Sequence, residues 1–220
     1  MNPDATYRKH YGDAEARHYA HAKQAAVATH RGEAALVARA LRDVPRDESL
    51  LDLPCGAARM TAVLAQLGFT KLAAADVSPA MVELARARLA DDGIDAPVTL
   101  ADAEHLPFAD RSFDNVFCFR LFHHFPSETL RATVLAELAR VARQRVVISY
   151  LDTRSFTSRK RAFERLFRPR PPSKFTQTPR EFAALLARAG LEVVADHARV
   201  PLWHSLRLVV ARPRTAARSP

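Results

Sequence analysis

Leu50-Leu51-Asp52-Leu53-Pro54-Cys55-Gly56-Ala57-Ala58-Arg59-Met60 is the stretch that decides the fold. An apolar run closes on an acidic residue, a tight Pro-Cys-Gly turn follows, and a small-residue, helix-forming stretch begins at once. That is the outline of a buried parallel strand passing into a helix whose N-terminal amides face a ligand. A second acid, Asp76, ends the next apolar run, Lys71 to Val77, about two dozen positions later. In nucleotide-binding βαβ units an acid at that place accepts hydrogen bonds from the ribose hydroxyls.

Outward from this turn the elements alternate. Strands are expected near Leu50 to Leu53, Lys71 to Asp76, Val98 to Ala101, Asn115 to Phe119 and Arg145 to Tyr150. Helices fall between them near Ala57 to Leu67, Pro79 to Asp91 and Ser127 to Ala142, and an Ala-rich helical region, Asp13 to Arg42, precedes them. Such alternation implies a parallel sheet covered on both faces. After residue 178 the pattern changes. A helix from Pro179 to Ala189 stops at Gly190, and strands Leu191 to His197 and Trp203 to Ala211 flank Pro201 as a closing antiparallel hairpin. Only Arg168 to Ser173 reads as a linker, and the tail after Pro213 reads as unstructured. The 220 residues suit one α/β domain. Its parts would be a helical cover (1–45), a core (46–151), a basic lid insertion (152–178), a closing helix and hairpin (179–212), and the tail.

Four segments, in order and at the right spacing, resemble the motifs of class I S-adenosylmethionine-dependent methyltransferases, particularly the small group that includes quinone-biosynthesis methyltransferases. The family's first motif is hydrophobic-Leu-Asp-x-Gly-x-Gly-x-Gly. Here Asp52 and the central Gly56 match, while Pro54 and Ala58 replace the outer glycines; Pro54 removes an amide and fixes φ. Ala73 to Met81 resembles the family's G-x-D-x-S-x-x-M segment, Leu100 to Phe108 its x-x-D-A-x-x-L-P-F turn, and Phe113 to Phe119 its F-D-x-V fourth strand. The resemblance implies a Rossmann-like, doubly wound seven-stranded sheet, mostly parallel with a C-terminal antiparallel hairpin, and S-adenosyl-L-methionine as cofactor. It implies that Gly56 admits the methionine moiety and Asp76 binds the ribose, with Asp52, Pro54 and Val77 also contacting the cofactor. Ser78 would cap a helix that Pro79 opens. Met81, Asp102, Ala103 and Phe119 would complete the cofactor set, with Met81 against the adenine and Asp102 accepting from its amino group.

Taken singly, each acid has a plainer reading: Asp52 as a strand-end turn cap, Asp76 as a solvated helix cap, Asp102 as a turn former. The four motifs together outweigh these. The Gly-poor loop argues against a dinucleotide dehydrogenase, because of G-x-G-x-x-G only Gly56 is present. Cys55 and Cys118 have no metal-ligand spacing and read as reduced thiols of a cytosolic protein. Nor do His10, His18, His21, His30, His105, His197 and His204 pair with Cys or carboxylates at such spacing. Pro54-Cys55 is not the nucleophile motif of cytosine-5 methyltransferases, which belongs after the fourth strand. There the chain reads Phe119-Arg120-Leu121-Phe122-His123-His124, and the Asn/Asp-Pro-Pro-aromatic motif of base-amine methyltransferases is also missing. Both absences count against a nucleobase substrate. No run of 18 apolar residues would span a membrane, and the N-terminal residues show no secretory core.

The formal net charge of +9 is local. Between Arg154 and Lys174 eight basic residues and one acid, Glu164, leave +7, and Arg212 to Pro220 adds three arginines. This segment follows the fifth strand, where ligands of open α/β sheets bind. Phe156, Phe163 and Phe167 fall on one helical stripe with Arg161, Arg165 and Arg168 opposite. The plain expectation is a lid that packs its phenylalanines on the core and leaves its arginines in water. The sharper one is a lid that admits an anionic or amphiphilic acceptor, with peripheral membrane contact through 154–174. Nucleic acid would require aromatics interleaved with the cations, and here they segregate.

His123 and His124, just past the fourth strand, are candidate general bases, with His124 favoured. Tyr11, Tyr19 and Lys23 fall where related enzymes carry a helical cover, and read here as an amphipathic surface. The expected activity is methyl transfer to a small-molecule or lipid-like acceptor. RNA or protein methylation, or a silent cofactor-binding partner subunit, are the alternatives.

Overall fold

The computed structural model describes residues 27–167 and 174–214. Tyr11, Tyr19, Lys23, the N-terminal half of the expected first helix, Arg168 and the Arg168 to Ser173 linker lie outside them. The strands are β1 (Ser49–Asp52), β2 (Lys71–Asp76), β3 (Val98–Leu100), β4 (Phe113–Cys118), β5 (Ala142–Leu151), β6 (Leu191–Ala198) and β7 (Leu206–Pro213). The helices are α1 (Val27–Ala40), α2 (Arg59–Gln66), α3 (Pro79–Asp91), α4 (Glu128–Val141), α5 (Phe156–Phe167) and α6 (Pro179–Arg188), with a 3-10 turn at Phe122–His124.

The seven strands form one sheet of order β3-β2-β1-β4-β5-β7-β6. The pairs from β3 through β5 are parallel, and β7 runs antiparallel to both β5 and β6. Consecutive residues of the central strands enter opposite cores, because side chains alternate across a strand. Leu51, Val116, Ile148 and Val209 pack beneath α4 and α6, with Phe122, Leu138 and Phe182. Leu50, Phe117, Val147 and Leu208 pack beneath α1, with Leu36, Val37 and Leu41. Burial on both faces is why Leu50-Leu51 of β1 and Val146-Val147-Ile148 of β5 are apolar at consecutive positions.

Helix starts follow their capping residues. The Ser78 hydroxyl accepts from the Met81 amide at 3.4 Å with Pro79 at the first helical position, and Ser127 accepts from Leu130 at 3.1 Å. Thr178 and Glu181 form a reciprocal capping box before α6. The sheet order reverses between β1 and β4. A crevice therefore opens at their carboxyl ends, since the connections leave to opposite faces there.

Two expectations need correction. Trp203 lies in a turn before β7, not in the strand. Leu202 beside it holds φ +59, so the chain reverses where its apolar residues suggested extension. The phenylalanine stripe of α5 does not pack on the core. Phe156, Phe163 and Phe167 are 50, 62 and 72% exposed, while Arg161 is the residue tied inward, its guanidinium donating to Ser205 Oγ at 2.7 Å and to the Thr157 carbonyl at 3.0 Å. The polar partners offered by Ser205 and Thr157 decide which face turns in. Helical periodicity alone carries no such sign.

Candidate active site at the carboxyl edge of the sheet

Asp52 ends β1 and is fully buried. Its Oδ2 accepts the Thr61 hydroxyl of α2 at 2.7 Å, while Oδ1 is buried with no partner among the described residues. Burial, reinforced by the nearby Asp76 charge, pushes its carboxyl up to about 7 against the opposing Thr61 hydrogen bond and Arg59. The turn that follows brings the backbone round to β2. Pro54 is half-buried beyond a cis peptide bond, the Cys55 amide donates to the Ala75 carbonyl at 2.8 Å, and the Gly56 amide donates to Asp76 Oδ2 at 2.8 Å. Gly56 sits at φ +54, and a Cβ there would meet no atom within 4 Å. The turn thus leaves open room directly over its backbone, which is what glycine contributes at a close approach to a ligand.

Asp76 ends β2, 5% exposed. Its Oδ1 accepts from the Ser78 amide at 3.0 Å. Burial raises its carboxyl above the ordinary range, and the amides of Ser78, Gly56 and Val77 oppose that rise. Val77 is half-buried beside it. The Ala101 amide donates to the Asp76 carbonyl at 2.9 Å, which carries the loop after β3 to the same edge. There Asp102 Oδ1 accepts from the Glu104 amide at 3.0 Å and Ala103 is buried. Asp52, Pro54, Gly56, Asp76, Val77, Asp102 and Ala103 are thereby gathered along one crevice wall. Met81 and Phe119 belong to the interior: Met81 is 1% exposed, and Phe119 stacks on Phe117 at 5.6 Å within the core beneath α1. The Cys55 and Cys118 thiols are buried and free, and burial pushes both well above the ordinary thiol range, so neither is an activated nucleophile.

Across the crevice β4 passes into Arg120 and the 3-10 turn. His123 is 3% exposed and His124 half-buried, their rings 4.2 Å apart. The Phe175 amide donates to the His123 carbonyl at 2.8 Å, so the chain returning from the lid is tied to the 3-10 turn, one residue after Lys174.

A further group was not anticipated from the sequence. Glu33 of α1, 1% exposed, pairs with Arg59 (Nη2 to Oε2, 2.7 Å) and with Arg120 (Nε to Oε1, 2.7 Å). Burial alone would raise the Glu33 carboxyl, but the Arg120 and Arg59 guanidiniums outweigh it and hold it below its ordinary value. Arg120 stands at φ +61, a conformation that costs a side-chain-bearing residue roughly 1–2 kcal/mol. Its amide is fixed by Ser149 Oγ at 2.6 Å. Arg59 keeps a second buried nitrogen, Nη1, without a partner among the described residues. One signal for this group was in the sequence. Glu33 lies on the same helical stripe as Leu36, Val37, Ala40 and Leu41, where a carboxylate is out of place unless paired.

A sheet of this order, with acids closing β1 and β2 around a glycine turn, defines a Rossmann-like architecture for a nucleoside-bearing ligand. The model of the methyltransferase domain matches residues 50–145. Methyltransferase GfsG of Streptomyces halstedii is 38% identical over 103 residues, 46% of this chain and 36% of that protein. The ubiquinone/menaquinone biosynthesis C-methyltransferase UbiE of Cupriavidus pinatubonensis is 39% identical over 71 residues, 31% of this chain and 27% of that one. The chain thus spans about a third of the length of these curated relatives. Magnesium protoporphyrin IX methyltransferase from Synechocystis, solved with bound SAH, shares the fold at a TM-score of 0.69 and 18% identity, over 86% of this chain and 84% of that one. Residues 50–145 thus resemble a methyltransferase domain in sequence, and the chain shares the fold of solved S-adenosylmethionine-dependent methyltransferases.

Proposed function

We propose that the protein transfers a methyl group from S-adenosylmethionine to a small-molecule or lipid-like acceptor that carries negative charge. The observation that carries this reading is the joining of two strand-end carboxylates through one glycine turn, Gly56 N to Asp76 Oδ2 at 2.8 Å, with Asp52 at the switch point. The cofactor fits the residues present. Asp52 Oδ1 and Arg59 Nη1 are a buried acceptor and a buried donor without partners among the described residues, matched to the amino and carboxylate groups of a methionine moiety. The open space over Gly56 admits that moiety, Asp76 would take the ribose diol, and Val77, Asp102 and Ala103 would lie along the adenosine. GfsG, a methyltransferase, and UbiE, a C-methyltransferase of ubiquinone/menaquinone biosynthesis, support the same chemistry. The quinone-biosynthesis subgroup rests on an alignment over 31% of the chain and is a proposal only.

When bound, the cofactor supplies a sulfonium-activated methyl group, so the protein's work is to align the acceptor and exclude water. His124, the more accessible of the pair, removes the acceptor's proton, while the buried His123 braces the turn on the returning chain. The negative charge of the acceptor is supported by the cations on this side of the crevice. Lys174 and His204 are both pulled below their ordinary values, chiefly by burial and then by neighbouring arginines, Arg120 and Arg161 in both cases. No ion pair to Lys174 occurs among the described residues. Converging cations with little counter-charge favour an anionic ligand.

The test is incubation with methyl-labelled S-adenosylmethionine and fractionated cell extract. Label entering small-molecule or lipid fractions is expected, with Lys174→Gln raising the acceptor's KM. Label confined to RNA or protein overturns the acceptor class.

A further inference from the structure

Helix α5 and the turn at 200–204 build a second surface that the crevice chemistry does not use. Leu202 is 78% and Trp203 58% exposed, and Phe156, Phe163 and Phe167 on one stripe of α5 are exposed as well. The two segments are locked together, since the Phe156 amide donates to the Leu202 carbonyl at 2.7 Å and the Thr157 amide to the Trp203 carbonyl at 3.2 Å. Within the face the Phe156 ring stacks on Trp203 at 4.7 Å, and Phe163 meets Phe167 edge-on at 5.1 Å. Five large apolar side chains so exposed on two linked segments are unusual on a lone soluble surface. Around them, Arg154 to Arg165 holds five basic residues and one acid, with Arg154, Arg159 and Lys160 exposed.

Apolar rings and a Trp bordered by Lys and Arg are the composition of a segment lying in the plane of a bilayer interface. The rings enter the boundary between headgroups and acyl chains, and the cations meet anionic lipid. We propose that this face docks on an anionic phospholipid bilayer, with Phe163, Phe167, Leu202 and Trp203 in the interface and Arg159 and Lys160 against the headgroups. No described helix is long and apolar enough to cross a membrane, so the contact is with the surface. A second copy is the rival occupant, but a two-fold interface would set this cationic segment against its own image, whereas a negative surface complements it. The docking inference stands apart from the methyl-transfer reading.

Trp203 is the only tryptophan in the chain, so intrinsic emission reports this face directly. The full chain is titrated with phosphatidylcholine vesicles with and without phosphatidylglycerol, and bound protein is also measured by sedimentation. The expected result is a blue shift and sedimentation with the anionic vesicles, both shrinking as salt rises from about 0.1 to about 1 M. The double variant Phe163→Ser/Phe167→Ser should weaken partitioning about tenfold or more. Arg159→Gln/Lys160→Gln should weaken it on anionic vesicles alone. Both variants should bind S-adenosylhomocysteine as wild type does, which shows them folded and separates failure of docking from failure of the methyl-transfer reading. Unshifted wild-type emission with all protein left in the supernatant overturns the proposal. So does a blue shift that grows with protein concentration in the absence of vesicles, which assigns the face to a second copy.

Discussion

Replacing Asp52 with asparagine tests the electrostatics of the site through folding. In the folded protein burial lifts this carboxyl from 3.8 to about 7, whereas in the unfolded chain it titrates near its ordinary value. Between those pH values the native state holds a proton that the unfolded state has released. Raising the pH therefore weakens the wild type. The contribution of Asp52 is fully present below 3.8 and is lost as pH climbs through about 7. About three pK units at 1.36 kcal/mol each give about 4 kcal/mol, undiminished by solvent screening because the side chain is fully buried. The substituted side chain cannot ionise. Its carbonyl still accepts from Thr61, and its amide donor in place of Oδ1 costs about 1–3 kcal/mol at every pH. Urea unfolding of wild type and Asp52→Asn at steps from pH 4 to pH 8 measures the difference. The gap between them should move about 4 kcal/mol in favour of the variant across that range and then level off. A gap that stays constant with pH would refute the reasoning, because the buried carboxylate would then be compensated by something other than protonation.

Glu33→Ala leaves the half-buried Arg59 and Arg120 guanidiniums without their counter-ion and should lower unfolding free energy by about 1–3 kcal/mol, read by urea unfolding. Ala58 opens α2 at φ +55, so Ala58→Gly relieves left-handed strain of roughly 1 kcal/mol, offset in part by the lost methyl. Its melting temperature should match or exceed wild type. His124→Ala should slow the chemical step about 10²–10⁴-fold with S-adenosylhomocysteine affinity unchanged, measured by single-turnover methyl transfer once an acceptor is in hand. A normal rate would leave the pair as structural.

The sheet was legible because its acids mark strand ends. Asp52 and Asp76 each close an apolar run, and β1 and β2 end on them. Helix starts were legible for a similar reason, since Ser78-Pro79 and Thr178-Pro179 satisfy orphan amides locally. Features set by distant partners were not. The inward face of α5 depends on Ser205, 44 positions from Arg161. The Glu33 triad joins residues 26 and 87 positions apart, and no local pattern announces Arg59 or Arg120 as its members. Met81 and Phe119 show a further limit: a motif position fixes a residue's place along the chain, not the depth at which its side chain packs.

Calorimetric titration of S-adenosylhomocysteine into wild type and Asp76→Ala, with circular dichroism confirming the fold of both, bears most directly on cofactor binding at this carboxyl edge. One saturable site in wild type and its loss in Asp76→Ala are expected. A folded wild type that gives no binding, or a variant that binds as wild type does, would contradict it.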